Sequence, residues 1–116
     1  MSPTQRTLAA LRKDGYLAAI VEKWNPHARR RVDLFGFVDV LAVHDGVDRR
    51  EGEKAVVQPG YTLAIQCTTG SHVANRVAKI RESPHLPMLV AAGWRVEAWG
   101  WRKLKGRWAL RRERVT

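Results

Sequence analysis

Two stretches decide how this chain folds: Arg29 to Val43, RRRVDLFGFVDVLAV, and Leu63 to Thr69, LAIQCTT. Successive strand side chains point to opposite sides. Alternation along Gly36 to Val43 therefore predicts a strand with Phe37, Asp39, Leu41 and Val43 on one face. A carboxylate at Asp39 then sits among apolar neighbours and needs a partner. In the second stretch the same period puts Ala64, Gln66 and Thr68 on one face and Leu63, Ile65 and Cys67 on the other. An acid on one apolar strand, followed by two polar groups on the next, is a pattern by which a sheet presents oxygen ligands to a hard cation. Mg²⁺ takes one or two carboxylates, carbonyl oxygens and waters, and completes its shell with substrate phosphate.

Outward from these strands, the chain reads as one domain spanning residues 1–116, long enough for a single core. Its 21 Lys and Arg against 11 Asp and Glu give a net charge of +10. A domain this basic is most simply a polyanion binder, since each neutralised phosphate releases condensed counterions. The lone cysteine, Cys67, excludes an internal disulfide framework and suits core packing. No apolar run is long enough to span a membrane and no signal-peptide core is present, so a cytoplasmic protein is expected. There is no glycine-rich phosphate loop, and His27, His44, His72 and His85 lack metal-ligand spacing, so no small-molecule cofactor is expected.

Ser2-Pro3-Thr4-Gln5 has a capping residue, a proline at the first helical position and Gln three residues on, predicting a helix from Pro3 to Asp14 that Gly15 ends. Tyr16 to Trp24 predicts a strand stopped by Asn25-Pro26. Glu22 shares a face with Ile20 and Trp24. It is either an outer metal ligand beside Asp39 or the ion-pair partner of one of Arg29, Arg30 and Arg31. Those three arginines, directly before the acidic stretch, are placed to hold a phosphate backbone, though a run of like charge is also simply a solvated face. Asp33 pairs with an arginine, caps the turn at Gly36, or serves as the reserve metal carboxylate.

His44 to Gly60 is polar and glycine-bearing, as expected of a mobile surface loop and a contact to nucleic acid or a second subunit. Ser71 caps a predicted helix running to Glu82. Val73, Val77 and Ile80 form its buried stripe, and His72, Arg76 and Lys79 form an opposing basic ridge. Pro84 to Ala92 reads as a short helix with Leu86, Leu89 and Val90 inward. WRVEAWGWRKL and RWALRRERV, joined at Lys105-Gly106, read as a terminal hairpin. Its basic residues include Arg102, Lys103 and Lys105, and Trp99, Trp101 and Trp108 lie nearby as either core anchors or base-stacking platforms.

From about Thr4 to Val115, this order of elements resembles the PD-(D/E)XK nuclease superfamily, which includes archaeal Holliday junction resolvases and phage-type VRR-NUC domains. VDLFGFVDVLAV is similar to the strand carrying that family's metal-binding Asp, and LAIQCTT to the strand that usually reads I-E-X-K. The resemblance places Asp39, Gln66 and Thr68 at the Asp, Glu and Lys positions, and the last two depart from the pattern. Gln66 still offers a carbonyl oxygen. Thr68 brings no cation, and Lys79 or Arg76 from the following helix could supply it. The family's first helix often contributes an acid, for which Gln5 is the nearest residue, although capping already explains it.

The resemblance implies a single restriction-endonuclease-like α/β domain, with a mixed central β-sheet flanked by helices. It implies Mg²⁺, with Mn²⁺ as substitute, held by Asp39, Gln66 and Glu22, and catalysis by Asp39, Gln66, Thr68 and Lys79. DNA would lie on Arg29, Arg30, Arg31, Arg76, Lys79, Arg102, Lys103 and Lys105. The expected activity is metal-dependent DNA endonuclease, selective for junctions or branches, with a homodimer expected by analogy. The competing expectations are a catalytically silent DNA-binding module of the same fold, and an RNA-binding or assembly subunit using the Trp-rich hairpin.

Overall fold

A computed structural model describes residues 1–48 and 57–116; residues 49–56, the middle of the expected surface loop, lie outside the described residues. Helix α1 spans Pro3–Lys13. Ser2 Oγ accepts from the Gln5 backbone N–H at 3.1 Å, so Ser2 caps the helix as expected, with Gln5 contributing its main chain. Leu8 and Leu11 face inward, and Gly15, at φ 88°, turns the chain into strand β1, Leu17–Ile20.

The expected strand over 16–24 is two elements. After Ile20 the Val21 N–H bonds Asp39 O at 2.9 Å, and the chain then leaves the main sheet. Strands β2, Lys23–Asn25, and β3, Arg30–Val32, form a separate two-stranded antiparallel ribbon. Asn25 Oδ1 accepts from the backbone N–H groups of His27 and Ala28 at 2.9 and 3.1 Å and so organises the ribbon's loop.

The strand expected from Gly36 starts later, as β4, Val40–His44. Phe35 and Gly36 take φ of 56° and 84°, the left-handed pair of a type I′ turn, and close a small loop in which the Val38 N–H bonds Leu34 O at 2.9 Å. Phe37 is still buried, on the turn rather than on a strand, whereas Val43 is exposed instead of facing the core.

Strand β5, Tyr61–Thr69, is the centre of a five-stranded sheet ordered β1-β4-β5-β6-β7. It pairs antiparallel with β4 and parallel with β6, Arg95–Leu104. The parallel pairing requires a crossover. A 3-10 turn at Gly70–His72, helix α2 at Val73–Arg81 and helix α3 at Leu86–Ala91 provide it. Ser71, expected to cap α2, lies within the 3-10 turn instead, and the helix starts after His72 with no side-chain cap. Its stripe of Val73, Val77 and Ile80 is buried as expected, and in α3 Leu86 and Leu89 are buried while Val90 points outward. Strand β7, Arg107–Arg114, completes the terminal hairpin, with Lys105 and Gly106 in the left-handed region at its turn.

Alternation along β5 creates two cores. Leu63 and Ile65 pack with Leu8, Leu11, Val40, Ala42 and Trp99 beneath α1. Ala64 packs on the other face with Val73, Val77, Ile80, Val96, Ala98 and Phe37 beneath α2 and α3. The result is a mixed sheet flanked by helices, the α/β class the sequence implies. A Cβ at Gly100 would meet Val73 Cγ2 and come within 2.8 Å of Thr69 O and 2.9 Å of Gly70 Cα, so glycine there lets the crossover sit down on β6. No described helix is long and apolar enough to cross a membrane.

Candidate metal and nucleic-acid site

The site forms where β4 begins. The ladder pairs Val40 with Ile65, and one step earlier the Asp39 N–H bonds Ile65 O at 2.9 Å, which brings Asp39 beside Gln66 at the edge of the α2 side. Here β5 runs on past the start of β4 and would leave the Cys67 N–H without a strand partner. Asp39 Oδ2 accepts it instead, at 2.7 Å. Asp39 is 6% exposed, so the acid read from alternation is buried and fixed to the central strand.

Two more carboxylates converge on it from the ends of the two-stranded ribbon: Glu22 precedes β2 and Asp33 follows β3. One oxygen from each of Glu22, Asp33 and Asp39 lies within 4.8 Å of the others. Opposite ligands of an octahedral cation are separated by about 4.2 Å for Mg²⁺ and about 4.8 Å for Ca²⁺, so three acids at this spacing fit a hard divalent ion with little adjustment. Burial, a hydrogen bond with Asp33 and the charges of Asp33 and Glu22 push the Asp39 carboxyl up to about 8, against the lowering effect of the Cys67 N–H. The cluster thus holds more negative charge than its protein surroundings compensate.

Glu22 also takes the other role expected of it: Arg31 Nη1 lies 3.8 Å from Glu22 Oε1. The guanidinium is mostly exposed, so the pair is worth little and does not withdraw Glu22 from the cluster.

Beside the cluster opens a cleft of about 450 Å³ that Asp33 shares. Gln66 forms part of its floor, Phe35, Gly36 and His85 its rim, and Arg76 and Lys79 from α2 its basic wall. The parallel crossover explains this wall: a helix leaving the end of β5 runs back over the sheet face that carries Gln66, and its i, i+3 positions bring both cations to one side.

The structure therefore brings Asp39 and Glu22 together with Asp33 in one cluster, gathers Gln66, Arg76 and Lys79 with Asp33 in the adjoining cleft, and so promotes Asp33 from reserve to full member. It does not bring Thr68 to the cleft. Thr68 is buried farther along β5, paired in register with Gly100. Arg29 and Arg30 are exposed on the ribbon and its loop. Arg102, Lys103 and Lys105 are exposed at the far end of the terminal hairpin, outside the cleft lining.

Two of the tail tryptophans are anchors, and the third, Trp108, is half-exposed beneath an arginine. Trp99 Nε1 donates to the buried Glu97 at 3.0 Å, Trp101 Nε1 donates to Thr7 Oγ1 at 2.9 Å, and Arg6 covers the Trp108 ring at 3.7 Å. Sequence reasoning missed the aromatic group of Tyr16, His44 and Tyr61, with Arg95 stacked on Tyr61 at 3.9 Å. Its only signal is the register that sets His44 across from Tyr61. Comparison with family models, with curated proteins and with solved structures finds no match.

Proposed function

We propose that the protein is a metal-dependent DNA endonuclease of the PD-(D/E)XK type. The observation that carries this reading is the convergence of the Glu22, Asp33 and Asp39 carboxylates within 4.8 Å of one another, with Asp33 also lining a cleft that Arg76 and Lys79 line. Acids on one side and cations on the other suit a phosphodiester, whose bridging region needs activation while its non-bridging oxygens need compensation.

The donor set fits Mg²⁺ or Mn²⁺: three carboxylates, with Gln66 lining the cleft that Asp33 shares. When bound, such an ion lowers the pKa of water and polarises the phosphoryl group. Asp39 contributes the ligand fixed most firmly, because its second hydrogen-bonding demand is met by the Cys67 backbone. Asp33 and Glu22 bring charge from a more exposed position. Arg76 and Lys79 hold the phosphate and offset charge developing in the transition state, the part that Lys plays in the family pattern and that Thr68 cannot play here. The ribbon arginines and the net charge of +10 supply sequence-independent affinity.

A DNA-binding module without catalysis is favoured by one observation, the burial of Thr68 away from the cleft, which leaves the usual lysine position without a cation. Incubating labelled junction, flap, single-stranded and duplex DNA with the protein in EDTA, Mg²⁺ or Mn²⁺ separates the two. Nicking that requires the metal supports the nuclease, and retarded but intact DNA supports the silent module.

A further inference from the structure

Three of the five tryptophans are committed to the fold: Trp99 and Trp101 through their hydrogen bonds, and Trp94 packed against the core and 6.1 Å from the Phe35 ring. Trp108 is half-exposed, but Arg6 covers its ring. Trp24 is neither committed nor covered. It is 59% exposed on β2 and has no ring, cation or hydrogen-bond partner among the described residues. A single exposed side chain is ordinary on a folded domain; what distinguishes this indole is the company it keeps.

Its position narrows the choice. Trp24 is the register partner of Arg31 on the ribbon, so the two side chains share a face, and Arg31 reaches Glu22 of the carboxylate cluster from that face. A second exposed ring stands on the cleft side. Phe35, two residues after Asp33, is 42% exposed at the cleft rim, and Trp94 and His85 hold its ring from the protein side. An aromatic platform thus follows each outer carboxylate, with arginine beside one of them. In a continuous duplex the base faces are already stacked on each other, so two open rings near a phosphate-binding site can be used only by nucleotides whose bases are unstacked.

We infer that this face takes unpaired single-stranded DNA, with bases stacking on Trp24 and Phe35 while Arg31 holds the intervening phosphate. The inference rests on the proposed nuclease reading for the choice of DNA and extends it to the substrate class: branched or gapped DNA that offers a few unpaired nucleotides next to the carboxylates. Charge complementarity supports this occupant over an apolar protein surface, because Arg31 shares the indole's face while Lys23 and Arg30 add positive charge on the other face of the same short ribbon.

The test is binding without catalysis. Fluorescence anisotropy in EDTA would compare a labelled 15-nucleotide single strand, the same sequence as duplex, and the same sequence as RNA, for wild type, Trp24→Ala, Trp24→Phe and Phe35→Ala. Expected are tighter binding of the single strand than of the duplex, and about a tenfold loss of single-strand affinity in Trp24→Ala. Phe35→Ala should lose a similar factor, Trp24→Phe should largely restore binding, and duplex affinity should stay within about twofold throughout. Trp24 is exposed, so its alanine variant should fold, and circular dichroism verifies that. Equal losses for single strand and duplex, wild-type binding by Trp24→Ala, preference for duplex, or RNA bound more tightly than DNA would each overturn the inference. The readout needs no cleavage. A protein that binds single strands through Trp24 yet never nicks would overturn the nuclease reading alone.

Discussion

Replacing Asp39 by Asn should stabilise the protein at alkaline pH, and the size of the effect follows from the crowding of the carboxylates. Asp39 is carried from an ordinary 3.8 to about 8 by burial, by its hydrogen bond with Asp33 and by the neighbouring charges of Asp33 and Glu22. Between those two values the folded protein binds a proton that the unfolded chain has lost, so stability falls as pH rises through that window. At about 1.4 kcal/mol per pH unit the ceiling is about 6 kcal/mol, and relaxation and water at the cleft should reduce the measured cost to about 3 kcal/mol. Asparagine keeps an oxygen for the Cys67 N–H and never ionises. Wild type and Asp39→Asn should therefore lie closest together at pH 4 and below, diverge steadily up to about pH 8, and separate by about 10 °C near pH 9, with the variant more stable. Mg²⁺ at a hundred times its Kd should return about 2.7 kcal/mol to wild type at pH 9 and nothing to the variant. Thermal unfolding by circular dichroism from pH 4 to 9, with and without Mg²⁺, reads all of this. Parallel pH profiles for the two proteins, or a variant less stable than wild type at pH 9, would refute the account of the cluster.

The remaining expectations concern charge, packing and the cationic wall. DNA affinity should fall by orders of magnitude between about 50 and 200 mM salt, and a flat dependence of log K on log salt would contradict phosphate-dominated binding. Lys79→Ala and Arg76→Ala should lower single-turnover cleavage by about 10² to 10³ with only small losses in DNA affinity. Arg112→Met removes the guanidinium that bonds Glu97 at 2.9 and 3.0 Å and leaves a buried acid with only the Trp99 donor, which should cost about 2 kcal/mol in denaturant unfolding at pH 7. Gly100→Ala should cost about 1 to 3 kcal/mol, because the 3-10 turn and the start of α2 must lift off β6.

The class of the fold was legible in the sequence, because period-two alternation in LAIQCTT and the helical stripe of Val73, Val77 and Ile80 are local patterns that tertiary contacts reinforce. Asp39 was legible for the same reason: an acid on an apolar face has few places to go. Asp33 was harder. Its sequence neighbours offer equally good roles as cap or ion-pair partner, and only the departure of the ribbon from the main sheet at Val21 returns both Glu22 and Asp33 to Asp39. That departure has no glycine or proline at Val21 and Glu22 to announce it, so Tyr16 to Trp24 reads as one strand. Thr68 was misplaced by the opposite failure. Sharing a face with Gln66 does not mean sharing a cleft, since the floor ends where the crossover settles onto Gly100. The tail tryptophans read as either anchors or platforms until partners as distant in sequence as Thr7 and Arg6 could be seen to claim them.

The central claim, that the carboxylate cluster is a metal-dependent nuclease site, is tested most directly by single-turnover cleavage of a labelled branched DNA by wild type and Asp39→Asn in Mg²⁺ and in EDTA. Wild type should nick in Mg²⁺ only, and folded Asp39→Asn should not nick at all while binding the DNA at least as tightly, because a charge opposing phosphate is gone. Nicking retained by Asp39→Asn, nicking in EDTA, or no nicking by folded wild type that binds the DNA would contradict the central claim.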